Sequence, residues 1–204
     1  MKILHLDSSI LGEYSFSRSI SAQVMEQLNA AYPDAEVTYR DLAADPLPHI
    51  SGELMGAIQG MIPDPRPEIK EEMALADALI DEFLSADIVV IGVALYNLTV
   101  STQLKTWLDR VLRAGKTFRY NEQGVREGLV GDTRVILCIS RGGDYSVGSP
   151  GAEIEHCESL LRHIFHFIGV ERLDVITADG GAMGPELLAK AQAHVAQQLE
   201  AFEA

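Results

Sequence analysis

Hydroxyls crowd one stretch near the N-terminus, Asp7-Ser8-Ser9-Ile10-Leu11-Gly12-Glu13-Tyr14-Ser15-Phe16-Ser17, just where a helical pattern begins. The first N–H groups of a helix have no partner within it. A serine at that point can cap one of them. Several serines, together with those N–H groups, can also cradle a phosphate, which the helix dipole favours. Both readings stand for Ser9, Ser15, Phe16 and Ser17. The stretch lacks Gly-x-Gly-x-x-Gly spacing and has no Walker lysine, so a terminal monoester phosphate suits it better than a nucleoside triphosphate. A second stretch runs from Ala94 through Leu95, Tyr96, Asn97 and Leu98 to Ser101. Leu95 and Leu98 could cover an aromatic ring face, and the Asn97 amide offers both a donor and an acceptor. The plainer reading is a turn, with Asn97 there for its backbone conformation and Ser101 as the next helix cap. A third stretch is Ser140-Arg141-Gly142-Gly143-Asp144. Its paired glycines suit either a close approach of ligand to backbone N–H groups or a flexible turn.

The elements that must position these stretches can be read from hydrophobic periodicity. Five apolar runs read as buried strands: Ile3–Leu6, Val37–Arg40, Ile88–Val93, Arg134–Ile139 and Leu173–Ala178. Ile88–Val93 is apolar on both parities, as a central parallel strand covered on both faces must be. Helical patterns span Ser17–Ala31, Glu68–Ser85, Ser101–Ala114, Glu153–Ile168 and Pro185–Phe202, with Gly115 just past the third as a stop. Repeated strand–helix alternation predicts an α/β fold with an open parallel sheet and helices on both faces. Five strands at this length point to the flavodoxin-like order 2-1-3-4-5 in one domain, residues 1–204. Ligands of such sheets sit beyond the carboxyl ends of the strands where the order reverses. That is where the three stretches meet. Hydroxyls for a phosphate, an amide flanked by apolar groups, and free N–H groups together match what a flavin mononucleotide requires.

Thirty acidic against sixteen basic residues give a net charge of -14. That surface repels nucleic-acid backbones and anionic membranes. Hydroxyls and N–H groups can still bind a phosphate without a basic side chain. Cys138 and Cys157 read as buried, inert thiols of a reducing compartment. No apolar run approaches the roughly 20 residues that cross a bilayer, and no leader pattern precedes the first strand, so a cytoplasmic location is expected. His163 and His166 are three apart on one helical pattern, but no further ligands accompany them, so no metal site is expected. Trp107 lies on an apolar helix face and reads as core or interface.

With these residues in place, the chain resembles the FMN-dependent NADH:quinone oxidoreductases of the bacterial azoreductase type, over essentially its whole length. The resemblance is carried by Ser8-Ser9 with Tyr14-Ser15-Phe16-Ser17, by Leu95-Tyr96-Asn97-Leu98 leading into Ser101-Thr102-Gln103-Leu104-Lys105, by Gly115-Lys116-Thr117-Phe118-Arg119-Tyr120, and by Ser140-Arg141-Gly142-Gly143. It implies a homodimer with one FMN per subunit, contacted by Ser9, Ser15 to Ser17, Leu95 to Leu98, and Ser140 to Gly143. It implies ping-pong hydride transfer from NADH to quinones and to aromatic azo compounds, which are cleaved to amines. The family commonly has Met and Phe where this chain has Leu95 and Leu98.

Two excursions interrupt the alternation. Ala43 to Arg66 carries Pro46, Pro48, Pro63 and Pro65 around a short helical-looking Gly52–Met61, and Thr117 to Gly131 surrounds Phe118-Arg119-Tyr120. Phe118 and Tyr120 are assigned either to the acceptor pocket or to a dimer seam. The cofactor carries the hard chemistry, so no nucleophile or acid–base dyad is expected. Two rivals remain at this level: a non-enzymatic flavodoxin-like electron carrier, and a phosphoester hydrolase built on the serine loop.

Overall fold

In the computed structural model, residues 1–203 are described. Seven strands form. β1 (Lys2–Asp7), β2 (Glu36–Asp41) and β3 (Ile88–Ala94) precede a short antiparallel hairpin, β4 (Phe118–Tyr120) with β5 (Arg126–Gly128). β6 (Arg134–Ser140) and β7 (Arg172–Ala178) complete the set. The main sheet is parallel, in the order β2-β1-β3-β6-β7. This is the expected order 2-1-3-4-5 once the two hairpin strands are counted. The chain passes from β1 out to β2 and then crosses back to β3 on the other side of β1, so the order reverses between the loops that follow β1 and β3.

The helices are α1 (Phe16–Ala31), α2 (Gly52–Ile58), α3 (Pro67–Ser85), α4 (Thr102–Val111), α5 (Cys157–Phe167) and α6 (Pro185–Glu200). Every residue of β3 is buried. Val89 and Ile91 pack with Leu79, Phe83, Leu104, Trp107 and Phe165, so α3, α4 and α5 cover one face. Ile88 and Val90 pack with Ile20, Val24, Leu28 and Val195, so α1 and α6 cover the other. Each such side chain stabilises the fold by roughly 1.5–3 kcal/mol through burial. Trp107 is core, edge-on to Phe83 with centroids 5.7 Å apart. Both cysteines are buried and free, and burial pushes the Cys157 thiol up to about 12.

Some boundaries differ from the periodicity. β2 is not a buried strand: it pairs only with β1, and Val37 and Tyr39 are exposed. The helix expected over Ser101–Ala114 ends at Val111, because the Thr117 hydroxyl donates to the Val111 carbonyl and accepts from Arg113 N–H. The helix expected from Glu153 starts at Cys157, where the Glu155 carboxylate accepts the N–H groups of Cys157 and Glu158 at 3.0 and 2.9 Å. The helix expected to run to Phe202 ends at Glu200.

α4 begins beside the loop after β1, where Ser101 Oγ donates to the Ser8 carbonyl at 3.2 Å, and runs to the opposite edge of the sheet. The hairpin follows there. Phe118 packs on Phe167 at the end of α5, with centroids 4.8 Å apart, and Arg126 donates to the Phe167 carbonyl. Gly128 lies backbone to backbone on Gly169, and a Cβ at Gly128 would sit 2.3 Å from Gly169 N.

Candidate functional site

The loop after β1 divides its serines between structure and open chemistry. Ser8 Oγ donates to the Gly92 carbonyl at 2.8 Å and is fully buried, so it fastens the loop to β3. Ser9 Oγ lies 2.9 Å from the Tyr96 hydroxyl. Ser15 is the N-cap of α1: its Oγ accepts Arg18 N–H at 3.4 Å and lies 3.0 Å from Ser17 Oγ. The N–H groups of Phe16 and Ser17 have no hydrogen-bond partner among the described residues. Ser15 is therefore a cap, and two helix donors beside it remain open. Unpaired N–H groups at the positive end of a helix suit an anion.

The loop after β3 is a two-residue turn. Tyr96 and Thr99 exchange backbone hydrogen bonds of 2.9 and 3.1 Å, with Asn97 at φ 47° and Leu98 at φ 73°. Positive φ at both central residues makes it a type I′ turn, which favours Asn and then Gly. Leu at the second place costs about 1–2 kcal/mol of backbone strain. Such strain persists where surrounding structure fixes it, and here the Leu98 carbonyl accepts His156 N–H at 2.9 Å. The Asn97 amide is exposed and makes no hydrogen bond among the described residues. Leu95 N–H donates to the Ser140 carbonyl at 2.9 Å, which joins this loop to the third.

In the loop after β6, the Gly142 and Gly143 carbonyls accept from Ala182 and Gly180 at 3.1 and 2.8 Å, while their N–H groups have no partner among the described residues. The Arg141 side chain does not offer its guanidinium to the cleft. It is 5% exposed and enclosed by Glu155, Glu158 and Asp179, with Nη1 3.4 Å from Asp179 Oδ1 and Nε 3.6 Å from Glu155 Oε1. Burial works against its charge, but these carboxylates outweigh it and raise its pKa. Asp179 also accepts Tyr145 N–H at 3.3 Å. Arg141 thus braces the diglycine loop from behind.

Between these loops lies a cleft of about 390 Å³. Ser9, Ser15, Phe16, Leu95, Tyr96, Ser140, Arg141 and Gly142 all line it. Ser17, Asn97, Leu98 and Gly143 belong to the same loops without lining the cleft themselves. Gly181 and Ala182, from the loop after β7, also line it, as do Leu11, Tyr14 and Leu188. The Gly180-Gly181 pair after the last strand was the available signal for that wall. Phe118 and Tyr120 are not brought to the cleft within one chain; the hairpin holds them at the other edge of the sheet. A larger open hollow of about 650 Å³ lies at that edge, around Met1, Asp87, Thr133 and Arg172. It is remote from the unpaired N–H groups of all three loops.

A model of a family described as flavodoxin-like fold matches residues 1–202. A relative from Xanthomonas campestris pv. campestris, named FMN-dependent NADH:quinone oxidoreductase, is 51% identical over 202 residues and aligns over 99% of both chains. A relative of the same name from Methylorubrum populi is 47% identical over the whole of both chains. Among solved structures, the azoreductase from Bacillus anthracis str. Sterne superposes with a TM-score of 0.87 at 29% identity, over 98% of this chain and 95% of its own. An FMN-dependent NADH-azoreductase from Bacillus anthracis str. Ames Ancestor, solved in complex with FMN, shares the fold with a TM-score of 0.86 at 22% identity, over 98% of each chain.

Proposed function

The chain belongs to the family of flavodoxin-like, FMN-dependent NADH:quinone oxidoreductases, and we propose from that premise that its cleft holds FMN while hydride passes from NADH to quinones and aromatic azo compounds. The observation that carries this reading is the set of unpaired donors at the switch point. The N–H groups of Phe16 and Ser17 lie on one side, and those of Gly142 and Gly143 on the other. Leu95 and Tyr96 line the cleft from the strand between. FMN, when bound, supplies the reversible two-electron chemistry that side chains cannot.

The chain's own residues bind and orient. Ser9, Ser15, Phe16 and Ser17 take the phosphate. Leu95 to Leu98 flank the ring and ribityl chain. Ser140, Arg141, Gly142 and Gly143 form the wall along the ring edge. N–H groups of the diglycine loop aimed at a ring carbonyl would favour added negative charge there, as preorganised donors do. No protein nucleophile takes part.

The functional unit is a homodimer with one FMN per subunit. Phe118 and Tyr120 serve the acceptor pocket from a second copy of the chain, because their own hairpin holds them at the far edge while Tyr120 stays exposed. Two free buried thiols fit a reducing, cytoplasmic setting. No helix among the described residues is long and apolar enough to cross a membrane. The reading of a non-enzymatic electron carrier finds no support, since the similar proteins are named as oxidoreductases.

The test is NADH consumption with benzoquinone or methyl red as acceptor. With apoprotein, loss of NADH absorbance that appears only when FMN is restored supports the reading, and FMN-loaded protein that leaves NADH unchanged in the presence of acceptor contradicts it. Tyr120→Ala should raise the acceptor KM and leave the NADH half-reaction intact. Unchanged acceptor kinetics would remove Tyr120 from the pocket.

A further inference from the structure

Beneath the serine loop lies a polar network that the proposed cofactor contacts do not use. Arg18, the third residue of α1, commits its guanidinium to groups of the β1 loop and β2. Nη2 donates to the Ser9 carbonyl at 2.8 Å and to Asp41 Oδ1 at 2.7 Å. Nη1 donates to Asp41 Oδ2 at 2.7 Å and to the Tyr39 hydroxyl at 3.2 Å. A planar fork gripped by a carboxylate is among the stronger and most directional pairings available to a protein. Asp41 is itself fixed, accepting Ala43 and Ala44 N–H at 3.0 and 3.1 Å.

The network continues inward. The Tyr39 hydroxyl donates to Asp7 Oδ2 at 3.1 Å, and Ser21 Oγ donates to Asp7 Oδ1 at 2.9 Å. β3 leaves room for that carboxylate by having glycine at 92, where a Cβ would lie 2.2 Å from Asp7 Oδ1. One guanidinium thus faces two carboxylates, so its positive charge is already balanced within the protein. What Arg18 does offer the site is its hold on Ser9. The carbonyl of Ser9 is gripped from below, and its hydroxyl points to Tyr96 at the cleft.

We propose that Arg18, set by Asp41, is a positioning residue that holds the Ser9 loop in the shape that receives the flavin's phosphate, acting through the Ser9 carbonyl and not as a phosphate ligand. The proposal rests on the reading of the cleft as an FMN site. It predicts a selective effect. Riboflavin has the same ring and ribityl chain but no phosphate, so disturbing the Arg18 fork should weaken FMN and spare riboflavin.

Two substitutions separate positioning from direct charge pairing. Arg18→Lys keeps the positive charge and loses the fork. Asp41→Asn keeps the guanidinium, frees its charge, and loosens its placement. Dissociation constants for FMN and for riboflavin would be measured by flavin fluorescence on apoprotein, with circular dichroism confirming the fold of each variant. Each variant should raise the FMN Kd about tenfold, the loss of roughly one charge-assisted hydrogen bond, with riboflavin affinity changed less than about twofold on the same scale. Unchanged or tighter FMN binding in Asp41→Asn would overturn the proposal, because a freed guanidinium that served as a phosphate ligand would bind better. Equal weakening of both flavins would also overturn it, since that marks a general collapse of the cleft. Should Arg18→Lys fail to fold, Asp41→Asn decides alone. Wild-type protein that binds neither flavin refutes the FMN reading itself, whereas wild type that binds FMN alongside variants of equal affinity refutes only the role of Arg18.

Discussion

At the scale of single residues, the first loop stands out in the sequence because hydroxyls at a helix start serve either as caps or as phosphate donors. Their division of labour does not. Ser8 bonds to β3, Ser15 caps α1, and only the packed structure shows which donors stay open. Arg141, offered by the sequence as a cofactor contact, lines the cleft, while its guanidinium is held by the carboxylates of Glu155, Glu158 and Asp179. No local pattern announces partners from α5 and the loop after β7. Leu98 gives a test at this scale. Its left-handed backbone is strained, and Leu98→Asn should raise unfolding free energy by about 1 kcal/mol, read by denaturant titration. Asp41 gives another. The hydrogen bond from Arg18 holds its carboxyl below the ordinary range. A depressed folded-state pKa contributes stability that is complete above the unfolded value and is lost as pH falls through the folded one. The stability gap between wild type and Asp41→Asn should therefore be full near neutrality, begin to shrink only as pH falls through the ordinary carboxylate range of about 4, and close below the depressed folded-state value. A gap that persists in acid would show that Asp41 stabilises by packing.

At the scale of elements, the three inner strands β1, β3 and β6 are legible because burial on both faces imposes continuous apolar runs. β2 was over-read as buried, since an edge strand with Val37 has the same local composition as an interior one. The β4–β5 hairpin was missed. Its strands are three residues each, and its turn is marked only by Asn121 and by Gly124 at φ 73°. The hairpin depends on the contact of Gly128 with Gly169. Gly128→Ala drives a Cβ into backbone, so it should cost 2 kcal/mol or more, on the order of other overpacked sites. It should also raise the KM for quinone if the hairpin serves the acceptor pocket. α5 starts on the Glu155 carboxylate, which no N-cap residue replaces. Glu155→Ala should lower unfolding free energy by about 1–2 kcal/mol, the usual range for a lost cap, and by more if Arg141 is left under-paired.

At the scale of the whole molecule, the strand order places three distant loops at one reversal point, and that placement turns weak local signals into one site. Fold alone assigns no activity. The donors left unpaired at that point, together with relatives sharing about half the residues, do. A net charge of -14 does not oppose this, because the donors proposed for the phosphate are hydroxyls and N–H groups and not surface cations. The most direct test is an anaerobic titration of the purified protein loaded with FMN. The yellow complex should survive desalting, bleach on addition of NADH, and recover its colour on addition of menadione. FMN that separates from the protein on desalting, or bound flavin that stays yellow under excess NADH, would contradict the account.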